Sequence, residues 1–418
     1  VTAPPLPSAD RGANPAAVLL RAVLAHGPVA RGTVAGLTGL SPAGISRHCA
    51  GLARLGLLTT RPARGHPAAG RPRAELDIAT NRHSVFGVHI AHHFATLAEL
   101  DLRGRVRAQE RVPHADAEPE RVLAGLAARL HRFRRQRLPG RIPIGLGVAC
   151  GGWVDPDAGM IVDHSSLGWH DVAAGPILSE LTGLPTRIDG HARALAAAEA
   201  LFGSARDSES VAHLFVGNVV DAAFVSGGLL HRGPGSAAGT VAHLPLGDPR
   251  TPCACGRSGC LETTVTDWAV TAAAGADMSI VDLVAAAVSG DGAARTALLS
   301  RAQTVGRAAA LLFDLVNPEL LIVTEAGIAH LPECLAALRA EITAHSRGRV
   351  DAERRVLPSS FAAADVLAVA AGAVQLDALY TDPHALSDRL APAGVHHTRA
   401  DSTSSGHVFS TKAAPSQE

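Results

Sequence analysis

The sequence predicts an α/β body preceded by a small winged helix-turn-helix unit. Two observations lead there. Three short helical segments fill residues 14–55, the last two joined by a tight glycine-containing turn. From about His83 the pattern changes to strand-like runs alternating with helices. At 418 residues, 47% of them hydrophobic, the chain is long enough for two or three domains with sizeable cores. Aromatics at 3% mean that those cores are built from Ala, Leu and Val.

The elements follow in order. Residues 1–13 are Pro- and Ala-rich and are expected to be disordered. Asn14-Pro15 opens the first helix, an N-cap side chain followed by proline at the first helical position, and Gly27-Pro28 ends it. A second helix runs from about Arg31 to Leu37. Ser41-Pro42 opens a third by the same device, and Ile45, Cys49, Leu52 and Leu55 share one of its faces. Its other face carries Ala43, Ser46, Arg47, His48 and Arg54. Leu57–Thr60 and Glu75–Ala79 are expected as the strands of a wing, with Arg61, Arg64, Arg71 and Arg73 between them. Residues 14–80 are therefore read as the DNA-binding domain, with Ser41, Ser46, Arg47, His48, Arg54, Arg64, Arg71 and Arg73 as contacts to bases or phosphates. Charge agrees: the whole chain balances 38 basic against 38 acidic residues, yet residues 1–80 hold nine arginines against three acids (Asp10, Glu75, Asp77). The plainer alternative is a small helical adaptor with a solvated basic face.

Beyond the wing, Ser84–Ile90 and Ala95–Leu100 read as strands, Leu123–Phe133 as a helix and Pro143–Ala149 as a buried strand. The block Trp268–His345 is Ala- and Leu-rich helix with one strand-like stretch, Leu320–Thr324, and suits subunit packing. Residues 386–418, with the run Ser402–Ser405, are expected to be a disordered tail. No run reaches the roughly 18 apolar residues of a membrane span. The first residues lack the order of a secretory signal. Cysteines without a disulfide framework fit a reducing cytoplasm.

The chemistry-bearing stretch is His243–Glu262, which contains Cys253-Ala-Cys255-Gly-Arg-Ser-Gly-Cys260-Leu-Glu262. Three thiolates within eight positions and a nearby imidazole satisfy the closed tetrahedron of a structural Zn²⁺, so His243, Cys253, Cys255 and Cys260 are the expected ligands. The alternative is three buried, unmetallated thiols. Cys49, Cys150 and Cys334 stand singly in apolar settings and are expected to pack.

This stretch resembles the zinc signature of the ROK family (repressors, open reading frames and kinases), in which Gly-Glu-x-Gly-His precedes Cys-x-Cys-Gly-x-x-Gly-Cys-x-Glu. Here Gly239-Thr-Val-Ala-His243 keeps the histidine and loses the glutamate. Thr38-Gly-Leu-Ser41-Pro-Ala-Gly-Ile-Ser46-Arg47 resembles the recognition segment of ROK-type repressors, and Gly70-Arg71-Pro72 the Gly-Arg-Pro of their wing. The resemblance implies an actin-like pair of ribonuclease-H-type lobes over residues 83–385, around a sugar and ATP cleft, with the chain returning to the first lobe past about Ala364. Trp153-Val-Asp155-Pro156 and Leu167-Gly168-Trp169 match the family's sugar lobe.

The same comparison implies that kinase chemistry is lost. Where the kinases carry Asp-x-Gly-Gly-Thr for phosphate, this chain has His89-Ile-Ala91-His92-His93. Its second glycine loop reads Gly217-Asn-Val-Val-Asp-Ala-Ala223, and Thr324-Glu325 replaces the Gly-Gly near adenosine. Phosphate needs backbone N–H groups at close range, and imidazoles block that approach. We read His89, His92 and His93 as isolated surface or cleft residues rather than metal ligands. The kinases' general base, an Asp, aligns with His191, between Gly190 and Arg193, with Asp189 a substitute only if the alignment slips. Of the family's sugar contacts, Ser166, His191 and Thr240 are replacements, and His243 and Glu262 persist. This set is the expected ligand pocket, altered enough to disfavour an ordinary free hexose. Glu262 could equally steady the metal ligands. The expectation is a non-enzymatic DNA-binding regulator, acting as a homodimer or homotetramer on double-stranded DNA, with a possible small-molecule effector. Two alternatives stay open: a sugar kinase fused to a DNA-binding arm, and a regulator that senses no ligand.

Overall fold

The structure is a computed structural model and describes residues 14–62, 74–114, 118–137, 140–275, 278–348 and 350–385. The expected tails, and Arg64, Arg71 and Arg73, lie outside these residues.

The first unit comprises α1 (Pro15–His26), β1 (Val29–Ala30), α2 (Arg31–Thr38), α3 (Pro42–Arg54), β2 (Leu58–Pro62) and β3 (Ala74–Ile78). Local chemistry sets its helix starts. The Asn14 side chain accepts from the Ala16 amide at 3.0 Å, and Ser41 Oγ accepts from the Gly44 amide at 3.1 Å. Gly39 and Gly56, both at positive φ, turn the chain after α2 and α3. The strands pair in the order β1-β3-β2, with Leu58 opposite Ile78 and Val29 opposite Leu76. Three helices and this ribbon enclose Leu19, Leu20, Val23, Val34, Ile45, Cys49, Leu52 and Leu76.

Next come β4 (His83–Ile90), β5 (Phe94–Leu100), β6 (Val106–Pro113), α4 (Pro119–Arg137) and β7 (Ile142–Cys150). A ribbon of β8 (Trp153–Asp155), β9 (Met160–His164) and β10 (Trp169–Val172) leads to α5 (Ala174–Thr182), β11 (Thr186–Gly190) and α6 (His191–Phe202). The second half has β12 (Val211–Val216), β13 (Val220–Ser226), β14 (Leu229–His231), α7 (Glu262–Val265), α8 (Asp267–Ala273), α9 (Ile280–Val288) and α10 (Gly292–Val316). It closes with β15 (Leu320–Glu325), α11 (Ala326–His330), α12 (Pro332–His345), α13 (Ala352–Arg355), β16 (Val356–Pro358) and α14 (Val366–Thr381).

Two five-stranded sheets share one plan. The first is ordered β11-β7-β4-β5-β6 and the second β16-β15-β12-β13-β14. In each, three antiparallel strands are followed by two that join in parallel. These are the two expected lobes. Alternation along β4 separates their layers: Phe86 and Val88 face the side covered by α4 and α5, while Gly87 faces α14. Helix α6 lies between the lobes, packing on α14, β12 and β13. Thus the chain does return to the first lobe at its C-terminal helix.

The sequence expectation treated residues 14–80 and 83–385 as separate blocks, but one apolar core spans both. Leu19, Leu20, Leu76 and Ile78 belong to the same cluster as Val85, Leu102, Ile144, Leu201, Leu376 and Tyr380. Polar contacts close the seam. Tyr380 Oη donates to the Leu102 carbonyl at 2.6 Å, Arg21 Nε donates to the Tyr380 carbonyl at 3.0 Å, and Arg103 pairs with Asp77 at 2.5 Å. The His83 ring meets the Leu55 carbonyl, at the end of α3, at 2.8 Å. The helix-turn-helix is therefore part of the first lobe's packing. We predict that Leu376→Ala, which opens a cavity in this shared core, costs about 2–5 kcal/mol. Denaturant unfolding followed by probes in each part should then show both parts losing stability together.

Candidate metal centre and interlobe cleft

The loop between β14 and α7 brings the four expected ligands together. One donor atom each of His243, Cys253, Cys255 and Cys260 lies within 4.8 Å of every other. Cys253 Sγ stands 3.7 Å from His243 Nδ1, and the sulfurs of Cys255 and Cys260 are 3.6 Å apart. A tetrahedron with Zn–S bonds of about 2.3 Å has edges of about 3.8 Å, so the spacing and the soft donor set suit zinc. Gly256 and Gly259, at φ 85° and 74°, let the loop turn between the sulfurs. Glu262 Oε1 lies 3.3 Å from His243 Nδ1 and accepts from the Cys253 thiol at 2.9 Å, beside the ligands rather than out in the cleft. Burial and Glu262 push Cys253 up to about 12, whereas hydrogen bonds from Arg257 bring Cys255 down to about 6.

A buried ionic group sits at the start of α11. Glu325 caps α11, accepting from the amides of Gly327 (2.9 Å) and Ile328 (2.7 Å). Its Oε1 is 3.0 Å from Nη1 of the fully buried Arg301, whose Nη2 donates to Asp267 Oδ1 at 2.7 Å. The amides at the start of this short helix thus already hold a carboxylate. Thr324 Oγ1 is 3.1 Å from His213 Nε2.

A second ionic group sits at the β11–α6 junction. Asp189 is consumed by two ion pairs of 2.6 Å, to Arg193 Nε and Arg232 Nη1. Arg193 also donates to the carbonyls of Ser236 (3.0 Å) and Val154 (2.8 Å). Trp153 Nε1 donates to the Gly235 carbonyl at 2.7 Å, a second bond between the β8 ribbon and the loop of the other lobe. What remains is a narrow cleft with an enclosed volume of about 20 Å³, lined by Gly152, Trp153, Arg193, Asp221 and residues 236–240. Thr240 borders it with its hydroxyl bonded to the Ala237 carbonyl at 3.3 Å. Ser166 is half-buried, near His92, and does not line the cleft. His191 lies buried beneath it.

Here the histidine expectation is corrected. His89 is neither isolated nor exposed: it is 3% accessible and stacked on His191, with ring centroids 5.7 Å apart. His92 and His93 touch each other edge to face, centroids 3.9 Å apart. Asp221, which sequence reasoning quoted but did not select, has Oδ2 3.3 Å from His191 Nε2. Arg301, also unselected, is one of three arginines spaced along α10, and nothing in the sequence sets it apart from Arg295 and Arg307.

On α3, Ser46, Arg47 and Arg54 are exposed and share the face opposite Ile45, Cys49 and Leu52. His48 is half-buried near Arg47 and His384; burial first, then these two cations, lower its pKa. The Ser41 hydroxyl is engaged in the helix cap. Arg61 pairs with Asp77 at 3.2 Å.

The molecule is thus a two-lobed α/β protein that carries a four-residue His/Cys cluster in its second half. The ROK family model matches residues 85–376. "Transcriptional regulator Rv0485" of Mycobacterium tuberculosis is 34% identical over 397 residues, covering 90% of this chain and 88% of the relative. The "DNA-binding transcriptional dual regulator NagC" of Escherichia coli is 26% identical over 343 residues, 76% of this chain and 82% of NagC. Among solved structures, a ROK family transcriptional regulator described as a homolog of the E. coli MLC protein has a TM-score of 0.75 at 22% identity, covering 90% of this chain and 98% of its own. A ROK family glucokinase from Streptomyces griseus, in complex with glucose and AMPPNP, has a TM-score of 0.62 at 20% identity, covering 69% of this chain and 98% of its own. Both likenesses are of fold. The chain belongs to the ROK family, as one of its transcriptional regulators.

Two outcomes are expected at these sites. Elemental analysis of purified protein should find about one zinc per chain, and Cys255→Ser should lower both the zinc content and the thermal midpoint, by on the order of 5 °C. Arg301→Ala leaves Glu325 and Asp267 unpaired and should cost about 3–5 kcal/mol in denaturant unfolding.

Proposed function

We propose that this chain is a DNA-binding repressor in which the kinase-like lobes serve for assembly and for sensing rather than for catalysis. The observation that carries it is the joint one: an exposed basic face on α3, seated on a core shared with the first lobe, beside a nucleotide site filled by Glu325, Arg301 and Asp267. Relatives named as transcriptional regulators support the same reading.

On double-stranded DNA, Ser46, Arg47 and Arg54 would face the major groove, with the wing arginines Arg61, Arg64, Arg71 and Arg73 holding phosphate. A homodimer would set its two α3 helices about one DNA turn (~34 Å) apart to read a two-fold operator. His243, Cys253, Cys255 and Cys260 would hold a structural Zn²⁺, which ties the loop bordering the cleft to α7 and takes no part in chemistry. The small-molecule effector would enter the cleft at Trp153, Asp221 and Thr240. It would act by favouring one lobe arrangement over another, and so one spacing of the DNA-reading helices. Catalysis has no support in this arrangement: His191 would be the only base at the kinase position, with no phosphate-binding backbone facing it.

Binding of the full chain to its own upstream DNA, measured across a salt series with and without sugars and glycosides, tests this reading. Arg47→Ala should weaken specific binding about 10- to 100-fold while leaving the fold intact by circular dichroism. Equal affinity of the variant would remove the assignment of α3, and ATP-dependent phosphorylation of any sugar would restore the kinase alternative.

A further inference from the structure

Four buried histidines meet at the seam between the lobes. The His89 ring of β4, in the first lobe, lies parallel to His191 at the start of α6, with an interplanar angle of 6°. The other side of His191 rests on Phe215 of β12, in the second lobe, with centroids 3.9 Å apart. A lobe-one imidazole, a second imidazole and a lobe-two phenyl ring therefore form one stack across the seam. His164 of β9 and His213 of β12 flank it. All four histidines are 3% accessible or less.

Their polar atoms are poorly served. Both ring nitrogens of His89 and of His191 lack a hydrogen-bond partner, as does Nδ1 of His164 and of His213. Asp221 of β13 is close to His191 Nε2 but out of line for a hydrogen bond. An unpartnered buried imidazole is costly where Leu or Phe would pack as well.

The surrounding charges make a proton hard to place. The groups that face the stack are Asp221, His164, His213, Arg111 of β6, His92 in the turn after β4, and Cys150 at the end of β7. Asp189 and Arg193, at the β11–α6 junction, are already bound to each other and to Arg232. Among the described residues, Asp221 is the carboxylate that approaches a ring of the stack, 3.3 Å from His191 Nε2.

We propose that the His89–His191–Phe215 stack is a proton-operated closure: with neutral rings the lobes close over it, and proton uptake parts them. Burial holds His89 well below the ordinary imidazole value, His164 down to about 4 and His213 down to about 3, in each case with His191 adding to the shift. The sign follows from linkage. Closed-state values below that of a free imidazole mean that closure is at full strength above about pH 6.5 and is lost progressively as pH falls below it. Opening admits water to the rings, so the open form takes up protons that the closed form excludes.

The test uses the full chain and does not depend on DNA binding. Small-angle scattering and tryptophan emission are recorded from about pH 7.5 to about pH 5, with zinc content followed in the same samples. Trp153, bonded across the seam, reports opening. The wild-type chain is expected to expand as pH falls, with its helical content unchanged. His89→Phe keeps a stacking ring without a titrating group, and its midpoint should move down by about one pH unit. Asp221→Asn removes the carboxylate that favours a proton in the closed form, so its midpoint should move up. Opposite shifts are not expected of two variants that merely loosen the packing. A wild-type shape unchanged over this range overturns the proposal. So does an expansion that His89→Phe shares at the same pH, which would trace it to the cysteine cluster or to general unfolding.

Discussion

Everything in this protein hangs on how closely helix α14 approaches the first sheet. A Cβ on Gly87 would stand 2.9 Å from Ala371 Cβ and from the Gly372 amide, and one on Gly147 would collide with the Ala371 carbonyl. On the helix side, a Cβ at Gly372 would lie 2.5 Å from Leu100. Gly87 and Gly147 meet Ala371 of the helix, and Gly372 meets Leu100 of the sheet, so none of the three has room for a larger side chain. This contact explains how a chain so poor in aromatic residues builds a dense interior. It also places the far end of α14, with Leu376, Leu379 and Tyr380, where α1 can pack, while α6 lies along its other flank. Helix α14 thereby touches the helix-turn-helix unit and the helix that begins at the cleft.

Two closed ionic groups hold the cleft and the second lobe. Asp189, Arg193 and Arg232 satisfy one another, and Arg301, Glu325 and Asp267 do the same in the second lobe. Such buried ionic groups add little net stability compared with apolar packing, but removing one partner strands the other.

How much of this was legible in the sequence followed from the range of the interactions. Asn14-Pro15 and Ser41-Pro42 announce helix starts because cap and helix are neighbours in the chain, and both helices begin there. His243 and the three cysteines are legible for the same reason. The seam is different. His89, His191 and Phe215 come from three separate elements, and only the crossing of the two sheets stacks them. Asp221 drew no notice because its partner is thirty positions away, and Arg301 because an arginine in an alanine-rich helix normally faces water. The apolar core that spans residue 80 was hidden for a related reason: a change of pattern marks a new element, whereas a shared core is visible only in three dimensions.

The common core of Leu19, Leu20, Leu76, Leu376 and Tyr380 has a meaning for how such proteins are recombined. A reader domain on a flexible tether is a portable cassette, exchangeable between sensors without loss to either. Here the joint passes through packed side chains, so cutting at residue 80 would expose apolar surface on both pieces. Moving the helix-turn-helix unit to another protein would require carrying α14 and the strands β4 and β7 along with it.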